Sequence, residues 1–169
     1  MNLHIGGKEK KEGWMILNIQ PGEHVDFMGD ISDLSQFPND SCENIYASHV
    51  LEHVPQKQVL STLRGIRRVL KPKGKFLVSV PDWDSLCGLF INPQAPLEVK
   101  WHALRMMLGG QEDEHDFHYV GFNHAILGNF LRQADFSETR RVESFGIFSD
   151  TSDYCPYGFP ISLNMIAEK

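Results

Sequence analysis

The stretch from Asn44 to Val80 constrains this chain more than any other. NIYAS (44–48) is a short β-branched and aromatic run of the kind that forms strands. Between Gln56 and Leu70, the apolar residues Val59, Leu63, Ile66 and Leu70 recur at helical spacing and make one buried stripe. Pro72 and Gly74 stop that helix, and KFLVSV (75–80) supplies a second strand. Strand, helix, tight turn and strand in this order predict a βαβ unit with parallel strands and a right-handed crossover.

The flanking sequence extends the same architecture. Asn2–Ile5, Met15–Ile19 and Val25–Met28 are short apolar runs closed by Gly6-Gly7, Pro21-Gly22 and Gly29-Asp30. Continuous apolar runs predict strands covered on both faces. Leu97–Leu108 is a predicted helix, and Asn123 is placed to cap another that carries Ile126, Leu127, Phe130, Leu131 and Ala134. Arg140–Phe145 and Ile161–Ala167 are predicted to pair as an antiparallel hairpin at a sheet edge. The predicted fold is α/β and Rossmann-like: a mainly parallel sheet, helices on both faces and a C-terminal antiparallel hairpin. Ligands in such folds sit at the carboxyl ends of the strands.

Composition narrows the function. A chain of 169 residues with 41% hydrophobic content is one globular domain (1–169) with a real core. No apolar run spans a membrane, and MNLHIGGKEKK lacks the core of a secretory signal. A net charge of −6 argues against a protein that coats phosphate backbones, so no nucleic-acid partner is expected. Cys42, Cys87 and Cys155 are scattered without a CxxC pair, which fits reduced thiols in a cytoplasmic protein. The cations Arg64, Arg67 and Arg68 are expected to be a solvated helix face near the favourable C-terminal end of the helix dipole. Trp14 and Trp101 are expected to pack.

GDISDLSQFPNDSCENIYASHVLEHVP (29–55) followed by LRGIRRVLKPKGKFLVSVPD (63–82) resembles the third and fourth motifs, post-motif helix, KPGG turn and fifth strand of a known family. That family is the class I S-adenosylmethionine-dependent methyltransferases, in the subgroup labelled methyltransferase type 11. Order, spacing and residue type agree over more than fifty consecutive positions. The helix from Asn123 with its ADF turn, and ISLNMIAEK at the end, are similar to the family's last helix and final hairpin strand.

The resemblance implies S-adenosylmethionine as cofactor. LHIGG (3–7) resembles the first motif, in which Gly6 and Gly7 let the backbone approach the cofactor. His4 stands at its usual acidic position. The short span from Gly7 to Met15 implies that the first helix is reduced or missing. Asn18 aligns with the ribose-binding carboxylate, and Asp30 with the acid that accepts the adenine amino group. The Ile31 amide would face the adenine ring, while Ser48 and His49 would line the methionine part. His49 and His53 are the candidate catalytic residues for removing a proton or orienting an acceptor.

The resemblance further implies methyl transfer to a small-molecule or glycan-type acceptor, with residues 83–122 as a lid or acceptor insertion. GGQEDEHDFHYVGFNH (109–124) is the densest polar-aromatic part of it. A second reading is a degenerate methyltransferase-fold binding or regulatory protein. The sheet face uncovered by the missing helix would then expose apolar surface to a partner or to a second copy in a homodimer. A third is a divalent-metal-dependent methyltransferase. H-x-x-E-H (49–53) resembles the metal-holding E-x-x-E-H of small-RNA 2′-O-methyltransferases, with His115, His118 or His124 as a further ligand. Most relatives with LEHV here use no metal, so capping is the expected role and no metal is assigned.

Overall fold

The computed structural model describes all residues, Met1–Lys169. Seven strands form one sheet: β1 (Asn2–Ile5), β2 (Trp14–Asn18), β3 (Phe27–Met28), β4 (Cys42–Ser48), β5 (Leu70–Pro81), β6 (Glu138–Val142) and β7 (Ser162–Glu168). Their order is β3-β2-β1-β4-β5-β7-β6. β1, β2, β3, β4 and β5 run parallel, whereas β7 is antiparallel to both β5 and β6. This is the predicted mainly parallel sheet with its antiparallel terminal pair. The strand order reverses at β1 and β4, so a cleft opens beyond their carboxyl ends.

Four helices accompany the sheet: α1 (Val59–Val69), α2 (Trp83–Ile91), α3 (Leu97–Leu108) and α4 (His124–Gln133). α1 buries Val59, Leu63, Ile66 and Val69, and α4 buries Leu127 and Leu131. Both pack into one apolar cluster with Leu3, Ile5, Ile45, Ala47, Phe76, Val78, Val80, Leu163, Met165 and Ala167 from one sheet face. Those strand residues alternate with the opposite face, as the pleat requires. Asn123 caps α4 as predicted, its Oδ1 accepting from the Ile126 N–H at 2.9 Å.

The opposite face carries the row Ile16, His4, Tyr46, Leu77 and Ile166, set by the strand register. Residues 6–13 contain no helix, in agreement with the reduced first helix. The face is not bare, however, which corrects the expectation of exposed apolar surface there. The connection from β6 to β7 crosses it, and Phe148 sits 4.1 Å from the His4 ring, 4.8 Å from Tyr46 and 5.3 Å from Trp14, centroid to centroid. Polar anchors fix the crossing. The Tyr46 hydroxyl donates to Asp150 Oδ2 at 2.8 Å, and Ser48 Oγ donates to Asp150 Oδ1 at 3.2 Å. Lys11 Nζ adds a 2.7 Å bond to the Ile147 carbonyl. Tyr46 is fully buried, and burial pushes its hydroxyl pKa well up, so it remains a donor.

Several local expectations shift. α2 was not apparent from the sequence; Asp82 caps it by accepting from the Asp84 N–H at 3.2 Å. β5 begins at Leu70, so the KPKG segment belongs to an irregular strand start rather than to a free turn. The arginines of α1 do not form a merely solvated face. Arg67 donates to the Asp135 carbonyl at 2.7 Å, and Arg68 to the Leu34 and Phe37 carbonyls at 2.7 and 2.9 Å. Trp101 does not pack in the interior: α3 buries Ala103 and Met107 against α2 and leaves Trp101 60% exposed.

Candidate functional site

A cleft of about 540 Å³ lies at the carboxyl ends of β1, β2 and β4, of a size that takes a nucleoside-sized ligand. Gly6, Asn18, Asp30, Ile31, His49 and His53 all line it. Gly7 and Ser48, also expected there, do not. Gly7 instead lies over the His4 imidazole, where a Cβ would come within 2.7 Å of Nδ1. Ser48 is drawn to Asp150 on the opposite face.

The glycine that matters most to the cleft is Gly6. Its φ is +75°, and a Cβ there would lie 2.6 Å from Val50 Cγ2, a side chain that also lines the cleft. Only glycine accepts both constraints. Its N–H donates to the Leu17 carbonyl at 2.8 Å, which ties the loop across to β2. Asn18 locks the same loop: Nδ2 donates to the Gly7 carbonyl at 3.0 Å, and Oδ1 accepts from the Gln20 N–H at 3.0 Å. In the position where an acid would bind ribose, the amide here braces main chain.

Asp30 sits on the exposed rim, and its Oδ1 accepts from the Ser32 N–H at 2.7 Å and from the Ser32 hydroxyl. Oδ2 makes no hydrogen bond within the chain, which leaves one carboxylate acceptor free on a residue that lines the cleft. Beside it Ile31 is 4% exposed, an apolar wall next to a polar acceptor. An acidic and aromatic wall, formed by Asp113, Glu114, His115, Asp116 and Tyr119, closes the far side from the predicted insertion.

His4 does not enter the cleft. It is buried beneath the sheet between Tyr46 and Phe148, with Nδ1 lacking a partner. Burial holds its pKa down to about 4, against a smaller upward pull from Asp150.

A second constellation adjoins the cleft through His49 and His53. The chain leaves β4 through His49, whose φ of +53° turns it into a single 3₁₀ turn, Leu51–His53. A non-glycine residue in this region is uncommon and is held by its surroundings. His49 Nε2 lies 2.8 Å from Ser162 Oγ, and the His49 N–H donates to the Ser79 carbonyl at 2.9 Å. His49 Nδ1 is 3.3 Å from Glu52 Oε1, close enough for an ion pair but not aligned as a hydrogen bond. Glu52 is completely buried, and neither carboxylate oxygen has a hydrogen-bond partner.

His53 and His118 complete this group. Ligand atoms of Glu52, His53 and His118 all lie within 4.8 Å of one another. The His53 and His118 rings meet edge to face at 4.8 Å. Main-chain bonds stitch the two halves together: the Tyr119 N–H donates to the Glu52 carbonyl at 2.8 Å, and the His118 N–H to the Leu108 carbonyl at 3.1 Å. Burial alone would raise the Glu52 pKa, but contact with His49 and the positive potential of the three histidines outweigh it and hold the carboxyl ionised. Burial lowers the His118 pKa, with Glu52 opposing. Of the three later histidines weighed from sequence, His118 alone joins Glu52; His115 lines the cleft and His124 begins α4. Glu52 itself could be picked only through the H-x-x-E-H spacing.

A family model described as a methyltransferase domain matches residues 11–78. No curated protein matches the chain. Among solved structures, an S-adenosylmethionine-dependent methyltransferase from Archaeoglobus fulgidus is 15% identical, with a TM-score of 0.61 over 99% of this chain and 85% of that one. A 1,6-didemethyltoxoflavin N1-methyltransferase from Burkholderia thailandensis, solved with its acceptor and S-adenosylhomocysteine, is 16% identical with a TM-score of 0.59, over 99% of this chain and 70% of that one. The methyltransferase CalH, in complex with S-adenosylhomocysteine, is 20% identical with a TM-score of 0.59, over 99% and 50%. At these identities the likeness is one of fold.

Proposed function

We propose that this chain, which has the fold of the class I S-adenosylmethionine-dependent methyltransferases and matches their domain over residues 11–78, binds S-adenosylmethionine in the cleft beyond β1, β2 and β4 and methylates a small-molecule or glycan-type acceptor. The observation that carries this reading is the convergence of Gly6, Asp30 and Ile31 on one cleft at the switch in strand order. The residues present fit the group. Gly6 keeps the loop low where a side chain would collide with Val50. The Asp30 Oδ2 acceptor, set against the apolar wall of Ile31, suits an adenine edge with its amino donor.

The cofactor supplies an electrophilic methyl group, and the chain has only to align an acceptor with it and, where needed, take up a proton. His49 and His53 line the same cleft and present imidazoles to that task. The nearby Asp113, Glu114 and Asp116 make the acceptor side acidic, which disfavours phosphorylated acceptors and favours neutral, hydroxylated or cationic ones. Asn18 departs from the family pattern, and its role here is to brace the Gly7 carbonyl.

Calorimetric titration with S-adenosylhomocysteine tests the reading. The expected result is binding in the micromolar range, weakened by Asp30→Asn, which keeps an oxygen for Ser32 but carries no charge. Failure of the folded protein to bind millimolar ligand would overturn it and favour the binding-protein reading.

A further inference from the structure

Glu52 poses a question that the cofactor cleft does not answer. Glu52 is completely buried, neither of its oxygens has a hydrogen-bond partner, and only the His49 imidazole, 3.3 Å from Oε1, is placed to pair with it. A buried carboxylate is costly, and such groups in proteins are paired or coordinate metals. Its neighbours are imidazoles: His53 and His118 bring their ring nitrogens to within 4.8 Å of the carboxylate and of each other, and His118 Nδ1 is also buried without a partner. We infer that Glu52, His53 and His118 form a site for a divalent first-row transition ion of the zinc or cobalt type, with water completing its coordination.

Three features of the surroundings support a built site. His53 Nδ1 lies 3.1 Å from the Phe117 carbonyl, which fixes the ring and leaves Nε2 as the lone-pair nitrogen, the usual outer-shell arrangement for a ligating histidine. The Tyr119 N–H bond to the Glu52 carbonyl and the Gln56 Nε2 bond to the Tyr119 carbonyl at 3.1 Å hold the 117–120 segment against the 51–53 turn. Two imidazoles and one carboxylate suit zinc, cobalt or iron rather than magnesium or calcium, which take oxygen shells. Tetrahedral ligands about 2.1 Å from the ion lie roughly 3.4 Å apart, so separations of up to 4.8 Å must close by as much as about 1.4 Å on binding, a side-chain adjustment. The site does not depend on the cofactor reading, although His53 also lines the cleft.

The test is titration of the full chain, stripped with chelator, with Zn²⁺ by calorimetry and with Co²⁺ followed by visible absorption. One ion per chain and a cobalt spectrum of low coordination number are expected, with Mg²⁺ giving no signal. Glu52→Gln and His118→Gln should each weaken Zn²⁺ binding by roughly 100-fold, whereas His124→Gln, outside the cluster, should leave it unchanged. A stripped, folded chain that binds no Zn²⁺, or Zn²⁺ binding that survives both substitutions, overturns the site. S-adenosylhomocysteine titrated into the same preparations keeps the two readings apart, since loss of Zn²⁺ by His118→Gln with retained cofactor binding separates the metal site from the cleft.

Discussion

The His4 imidazole and the Phe148 phenyl ring pack tilted by 37° with centroids 4.1 Å apart, joining β1 to a segment more than a hundred residues later. Phe148 stands where a helix would otherwise cover the sheet. Phe148→Ala should therefore destabilise the protein by about 2–3 kcal/mol, read by urea unfolding, and raise the exposure of Trp14 in fluorescence quenching. Unchanged stability would mean that the connection is a bystander.

The same histidine makes stability depend on pH. Its folded pKa of about 4 lies below the ordinary 6.5, so the unfolded chain binds the extra proton between these values. Its contribution is fully present above pH 6.5 and is lost as pH falls toward 4, by on the order of 3 kcal/mol. Denaturant midpoints measured from pH 8 to pH 4 should fall steeply for the parent and less for His4→Phe. His118, lowered in the same sense, leaves a residual slope in both.

Gly6→Ala should cost about 1–2 kcal/mol from its φ alone and abolish measurable S-adenosylhomocysteine binding. Gly13→Ala is the control: its φ of +80° carries the same strain, but nothing lies within 4 Å of its added Cβ. Equal effects on ligand binding would remove the close approach at Gly6 from the explanation.

Asn18→Asp should fail to improve cofactor binding, although an acid here is the family pattern. The substitution deletes the donor to the Gly7 carbonyl and sets a charge against that oxygen, costing about 1–2 kcal/mol of stability. Tighter S-adenosylhomocysteine binding by the aspartate variant would show instead that the amide is a weakened ribose ligand.

The sheet was legible from sequence because its signals are local: apolar runs, the Val59–Leu63–Ile66 stripe and the Asn123 cap each report on neighbours in the chain. α2 was hidden because its cap, Asp82, follows β5 with no intervening loop and is also the partner of Arg141 at 2.9 Å. The cleft residues followed from where strands end. What could not be read was long-range. That Ser48 turns to Asp150, that His118 rather than His115 or His124 reaches Glu52, and that residues 143–161 replace a helix all depend on contacts between distant parts of the chain.

The path of the β6–β7 connection also bears on how the chain is made. Tyr46 waits for Asp150, and His4 for Phe148, so during synthesis the first five strands emerge long before one side of their sheet can be sealed. Ordering by sequence separation puts that closure last, a slow step of high contact order. Until then Trp14, Ile16, Tyr46 and Leu77 present a continuous greasy surface to the cell. Growth temperature and chaperone supply, more than the native stability, should therefore govern how much of this protein accumulates in folded form.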